Sequence, residues 1–319
     1  MTLNQLFPRF FGLALAVTIV WLPGCQPKAP KSQNDGALNA VATTNLVGDL
    51  VQSIGGERVN VTSLMGPGVD PHLYKAKAGD VARLSNAEII FYGGLHLEGK
   101  MVELFEQMAE RGRPTIAVTD GCDKQKYIES KTFGGNYDPH VWFDVSLWKC
   151  AAQYVADVLT EADPAGDSLY AANVAVALAE MDSLTAYILE QANRLPAERR
   201  ILVTSHDAFG YFGRAYGFEV RGLQGLSTET EAGTGDVQRL AAFVHEKRLP
   251  ALFIESSVSP RGIEAVMAAV NSKGFDVKIG GDLFSDALGE PDSPEGSYVG
   301  MFKYNVDTIV GALLSEPEN

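Results

Sequence analysis

The sequence predicts an α/β fold of two (β/α) lobes with parallel four-stranded sheets, joined by one long rigid helix. Three observations carry this. Short apolar runs alternate with helical periodicity from residue 38 to residue 118. The same alternation restarts at residue 200. Between them, a run from Asp167 to Leu195 contains neither Pro nor Gly. At 1.5 Å per residue such a helix is about 40 Å long, enough to cross a whole domain. Strands that alternate with helices imply parallel pairing with helices on both faces.

The elements follow in order. Residues 38–43 (LNAVAT) form a short apolar run, hence a strand. Residues 45–54 have helical spacing that stops at Gly55-Gly56. The next strands are 59–64, 87–92 (AEIIFY, closed by Gly93-Gly94) and 114–118, with helices over 78–85 and 101–111. Helices over 145–160 and 167–195 follow, the second as a stiff spine. The second lobe repeats the pattern: strands over 200–204, 218–223, 251–255 and 277–279, helices over 208–216, 235–247, 261–273 and 301–314. Two α/β lobes create a cleft, and ligands in such sheets sit beyond the carboxyl ends of the strands.

Length and composition agree with a globular two-lobed protein. The chain has 319 residues, 46% hydrophobic and 21% charged, with a formal net charge of −14. No basic cluster exists to neutralise phosphates, so nucleic acid is excluded as a partner. Arg9 precedes an apolar run, 10–22, too short to span a bilayer comfortably and suited to a signal-peptide core. It ends in Leu22-Pro23-Gly24-Cys25, which resembles a bacterial lipobox, with cleavage before an acylated Cys25. The polar stretch QPKAPKSQNDG reads as a tether. No other stretch reads as membrane-spanning. The organisation expected is a signal peptide over 1–24, a lipid-anchored linker over 25–37, one lobe over 38–165, a connecting helix over 166–196 and a second lobe over 197–319. Export would permit a disulfide between Cys122 and Cys150, but sequence does not reveal their separation, and pairing stays open.

Three of the five histidines sit on loops after strands. His72 and His140 each end an Asp-Pro-His triplet, Asp70-Pro71-His72 and Asp138-Pro139-His140. Proline fixes φ and restricts the residue before it, so each imidazole is presented from a stiff turn. His206 follows its strand in Thr204-Ser205-His206-Asp207. His245, inside a helix, reads as a solvated residue; His96, after Gly93-Gly94-Leu95, is a cap, a supporting group or a spare ligand. Three imidazoles favour a borderline transition metal over Ca²⁺ or Mg²⁺, which want an all-oxygen shell. A tetrahedral shell needs a fourth ligand. Asp286, after the last strand, is the first candidate and Asp282 its competitor.

Asp-Pro-His twice, Thr-Ser-His-Asp-Ala-Phe-Gly-Tyr-Phe, Gly-Leu-Ser-Thr-Glu-Thr-Glu, and Leu-Phe-Ser-Asp-Ala-Leu-Gly followed by Gly-Ser-Tyr-Val resemble the zinc- and manganese-binding solute-binding lipoproteins of ABC importers, the family that includes TroA, PsaA and ZnuA. The resemblance covers roughly residues 40–314. It implies one Zn²⁺ or Mn²⁺ ion per chain as transported ligand. His72 and His140 from the first lobe and His206 and Asp286 from the second would hold it in the cleft. It selects Asp286 over Asp282. It implies no catalytic activity, an ABC transporter permease and its ATPase as partners, attachment to the membrane through Cys25, and a monomer outside the cytoplasmic membrane. Manganese-specific members often carry Glu where this chain has His206, and many zinc-specific members carry a His-rich loop after the first His, which 73–80 lacks. The chain resembles most the three-His, one-Asp, TroA-like group. By the Irving–Williams order such a shell favours Zn²⁺ over Mn²⁺.

Two other classes stand against this. A zinc-dependent hydrolase could use the same four ligands, with Glu255 as its only base candidate; the preferred role for Glu255 is to orient a ligating histidine. Some lipoproteins of this family are described as surface adhesins, but no residue here argues for that.

Overall fold

The computed structural model describes residues 36–130 and 133–315. The expected signal peptide, the lipobox with Cys25 and all but the end of the tether lie outside the described residues.

The first half is a parallel sheet of order β2-β1-β3-β4. Its strands are β1 (Leu38–Thr44), β2 (Val59–Met65), β3 (Ile89–Tyr92) and β4 (Thr115–Ala117). Helices α1 (Asn45–Gly55), α2 (Ala78–Asn86) and α3 (Val102–Glu110) connect them. The last five residues of β1 are all buried, as expected of a strand covered on both faces. Thr44 ends that strand and caps α1, its hydroxyl accepting from Val47 N at 3.1 Å. The helix then buries Leu46, Val47, Leu50, Val51 and Ile54, the 3.6-residue stripe read in the sequence.

Helix α4 (Val145–Ala162) leads into α5 (Asp167–Ala192), the 26-residue spine. By length and composition the span Pro164–Ala192 could cross a membrane, which the sequence reading missed. Here α5 packs on α1, α4 and α9, and buries Tyr170, Val174, Met181, Leu184 and Ile188.

The second half contains β5 (Ile201–Thr204), α6 (Gly210–Tyr216), β6 (Glu219–Gly222), α7 (Thr234–Lys247), β7 (Ala251–Glu255), α8 (Arg261–Asn271), β8 (Lys278–Leu283) and α9 (Tyr298–Leu314). One detail corrects the expectation. The four strands pair as β5-β6 and β7-β8, both parallel, and no ladder joins β5 to β7, although the two lie side by side. The four-residue β5 offers few ladder positions, and β7 shifts register at Leu252/Phe253. The last strand also runs further than expected, through Gly280-Gly281 to Leu283. Helix α9 starts three residues early because the Ser297 hydroxyl caps it, accepting from Gly300 N at 3.2 Å.

One continuous core spans both halves, from Ala40 in β1 through α5 to Phe302 and Leu313 in α9. Two satellite cores lie in one half each, around Ile90 and Met108 and around Leu252 and Val266. Under the His140 loop an aromatic cluster ties the halves together. Phe143 stacks on Phe209 at 4.3 Å and meets Phe302 at 5.8 Å, while Trp148 meets Tyr298 at 5.8 Å. Each fully buried ring contributes about 1.5–3 kcal/mol in transfer free energy, so the platform beneath the site helps hold the two halves together. Cys122 and Cys150, left open by the sequence, are bonded, with Cα atoms 5.8 Å apart. The bond ties the segment after β4 to α4.

Candidate metal centre

His72, His140, His206 and Asp286 converge, their ligand atoms all within 4.8 Å of one another. Each comes from a loop beyond a strand or from a turn fixed by proline, where the sequence placed it. All four are at most 2% exposed. His140 Nε2 lies 3.3 Å from His72 Nε2, 3.3 Å from His206 Nε2 and 3.4 Å from Asp286 Oδ1. His206 Nε2 is 3.5 Å from the same oxygen. A regular tetrahedron of about 2.0–2.1 Å metal–ligand bonds has edges of about 3.3–3.4 Å. Four of the six donor–donor separations therefore match a tetrahedral transition-metal shell.

The electrostatics point the same way. Asp286 Oδ1 and His72 Nδ1 are buried without a hydrogen-bond partner. An unpaired carboxylate oxygen in a dry site costs several kcal/mol unless a cation faces it. Burial would raise the Asp286 pKa, but His206, His140 and His72 around it hold it well below the usual carboxylate range. Burial opposes charge on His140, yet the Asp138 and Asp286 carboxylates outweigh it and raise that imidazole to about 9. His206 is likewise pushed well above its ordinary value, against burial, by Glu255 and Asp286. His72 is the exception: burial, helped by the two other imidazoles and opposed by Asp286, lowers it to about 3. The two raised imidazoles are thus the ones that face the buried Asp138, Glu255 and Asp286 carboxylates.

The supporting groups hold the ligands in place. Asp138 Oδ1 accepts from the His140 backbone N at 2.9 Å and pairs with its ring Nδ1 at 2.7 Å. That second bond turns Nε2 toward the centre, the usual way a carboxylate orients a ligating imidazole. Sequence reading used Asp138 only for the stiffness of its turn and missed this role; the signal was an acceptor two residues before a ligand. Glu255 contacts His206. Its Oε1 accepts from His206 N at 2.8 Å and its Oε2 lies 2.5 Å from Nδ1, a charge contact out of line for a hydrogen bond. Ser257, also missed, donates its hydroxyl to Asp286 Oδ2 at 2.9 Å.

The remaining candidates lie elsewhere. Asp282 is exposed within β8, four residues before Asp286. His96 is exposed, in the left-handed region at φ 65°, and lines a separate cavity with Tyr92, Tyr127 and Tyr137. His245 is half-buried in α7 with its ring edge-on to Phe275 at 6.3 Å, rather than fully solvated.

Comparison with known proteins matches this arrangement. The family model ZnuA, zinc-uptake complex component A periplasmic, covers residues 40–312. The zinc-binding protein TroA of Treponema pallidum is 48% identical over 280 residues, 88% of this chain and 90% of TroA. The manganese-binding lipoprotein MntA of Bacillus subtilis is 43% identical over 295 residues, 92% of this chain and 95% of MntA. The solved structure of the periplasmic zinc-binding protein TroA from Treponema pallidum superimposes with a TM-score of 0.85 at 47% identity, covering 88% of this chain and all of that one. The long spine helix, the parallel sheets and the sequence match along 40–312 thus agree, and the chain belongs to the ZnuA family, component A of zinc-uptake complexes.

Proposed function

We propose that this protein captures a divalent transition metal ion, Zn²⁺ or Mn²⁺, outside the cytoplasmic membrane and delivers it to an ABC importer. One ion per chain is the cargo, ligated by Nε2 of His72, His140 and His206 and by Oδ1 of Asp286. The observation that carries this is the set of 3.3–3.5 Å separations among buried donors, the edge lengths of a tetrahedral shell. Relatives named as zinc- or manganese-binding support both metals. Three imidazoles and one carboxylate favour Zn²⁺ over Mn²⁺ at equal concentration.

Capture and release follow from the layout. The residues before α5 supply His72 and His140 and those after it supply His206 and Asp286, so the ion bridges two halves of the chain. The lobes fall at 38–165 and 197–319, with 166–196 between them. The partners are a permease and its ATPase, met by a monomer. Cys25, acylated after signal cleavage, tethers the protein to the membrane; Cys25→Ser releases the mature chain into the soluble fraction with metal binding unchanged. A hydrolase on the same ligands would need a free general base. Glu255, the candidate, is fully buried against His206, with Oε1 accepting from the His206 backbone N and Oε2 2.5 Å from its Nδ1, which favours the binder.

The test is a competition titration against a chelator of known affinity, on metal-free protein. One Zn²⁺ per chain, bound tightly by the native protein and lost in Asp286→Ala, is the expected result. Native-like affinity in that variant removes Asp286 from the site.

A further inference from the structure

Among the places where the two halves of the chain meet, two seams differ in construction. The inner seam runs from a buried Trp142 to the partly buried Asn45. Trp142 Nε1 donates to Ser285 O at 2.9 Å, and Tyr298 OH donates to Trp142 O at 2.7 Å. The Asn45 amide grips the Leu288 backbone twice, each bond 3.0 Å. These bonds pin the loop that carries Asp286.

The outer seam consists of side-chain contacts from one segment, residues 226–232. Thr228 Oγ1 donates to Asp70 Oδ2 at 2.5 Å, and Glu229 Oε1 pairs with Lys100 Nζ at 2.8 Å, these last two side chains being 43% and 37% exposed. Among the described residues, no backbone–backbone hydrogen bond ties 226–232 to the first half; the ladder that continues β5 and β6 runs through Leu223 and Gln224, whose N–H groups reach Thr204 and Ser205, and ends at Gly225, whose carbonyl accepts from Asp207 N at 3.3 Å. Side-chain contacts therefore anchor the segment to the first half. Asp70 has a second task. Its other oxygen accepts from His72 N at 2.8 Å and fixes the turn that presents that ligand. His72 has no carboxylate on its ring, unlike His140 and His206.

We propose that residues 226–232 form a latch whose opening sets the rate of metal release, with Thr228 as a positioning residue acting on His72 through Asp70. Opening the latch frees Asp70 Oδ2, loosens the Asp70-Pro71-His72 turn and removes one ligand, while the inner seam keeps Asp286 and His140 in place. His72 is then the first ligand to leave. This rests on the metal-binding function proposed above.

The experiment is stopped-flow transfer of Zn²⁺ from the loaded full chain to a chromophoric chelator. Thr228→Val keeps the shape and removes the hydroxyl; it is expected to raise the dissociation rate about tenfold, the worth of one lost hydrogen bond. Thr228→Ser, which keeps the hydroxyl, is expected to restore it. The metal-free Thr228→Val protein should stay folded, its thermal midpoint within about 2–4 °C of the native and Thr228→Ser proteins. Lys100→Met should have a smaller effect, about twofold, that fades at high salt. A native dissociation rate in Thr228→Val overturns the latch. So does a Thr228→Ser rate equal to that of Thr228→Val, which would make shape and not the hydroxyl responsible. Failure of the native chain to bind Zn²⁺ at all would instead overturn the function on which the latch rests.

Discussion

In both Asp-Pro-His turns the aspartate Oδ1 accepts the backbone N–H of the histidine two residues on, at 2.8 Å for Asp70 and His72 and at 2.9 Å for Asp138 and His140. Beyond that shared turn the two differ. Asp138 also takes the ring Nδ1 of its own histidine at 2.7 Å, inside the molecule, with the Trp142 ring 5.3 Å away. Asp70 leaves the His72 ring alone and spends its second oxygen on Thr228 from the other half. In the site and latch proposed above, one tripeptide builds a fixed ligand in one place and a releasable ligand in the other. The proton affinities follow: His140 is raised to about 9 and His72 lowered to about 3.

Removing the ligands should produce the largest effects, and unequal ones. His140 Nε2 faces the other three donors at 3.3–3.4 Å, so His140→Ala should cost more than about a hundredfold in Zn²⁺ affinity, beyond the usual loss for a supporting group. His72→Ala should cost less than His140→Ala in the same chelator competition. Equal losses would erase the distinction between fixed and releasable ligand.

The supporting carboxylates come next. Asp138→Asn breaks the charge contact on the His140 ring and should weaken Zn²⁺ binding about 10–100-fold. Asp70→Asn should weaken it less, and through faster dissociation alone. An Asp70→Asn variant weaker than Asp138→Asn would reverse the assignment.

The pH dependence of binding is the most informative about charge. A metal ligates only neutral imidazole, so bound protons compete with it. His140 and His206, both raised, are protonated at neutral pH without metal, while His72, lowered, is already neutral. Affinity should therefore fall as pH falls, with a slope near two protons per Zn²⁺ between about pH 5 and pH 8, and that slope should decline as pH rises past about 9. Calorimetry in buffers of different ionisation enthalpy counts those protons. The unperturbed values near 6.5 would instead give up to three, appearing only below about pH 6.5.

Much of this was legible in the sequence. Periodicity placed each strand and α-helix of the described chain, though not the short 3-10 turns between them, and the spine helix showed itself as an uninterrupted run. Three of the four converging side chains were legible because each histidine followed a strand or closed an Asp-Pro turn. Asp286 needed the family resemblance, since Asp282 stands as close to the strand. The structure supplies the physical reason: Asp282 is inside β8 and exposed, whereas the chain beyond Leu283 turns inward and buries Asp286. The pairing of β5-β6 and β7-β8 as separate ladders was illegible, because register between short strands is set by tertiary packing. So was the different wiring of the two Asp-Pro-His turns. An identical tripeptide encodes the turn, and only the neighbours, Thr228 for one and the inner core for the other, decide where the carboxylate points.

The central claim is that one metal ion sits at the meeting point of three Nε2 atoms and Asp286 Oδ1. Diffraction at the zinc absorption edge, from crystals of metal-free protein given one equivalent of Zn²⁺, tests it most directly. The account requires a single anomalous peak at about 2.0–2.1 Å from each of His72, His140, His206 and Asp286. A peak coordinated elsewhere, on Asp282 or His96 for instance, or no peak at all between the two Asp-Pro-His turns, would contradict it.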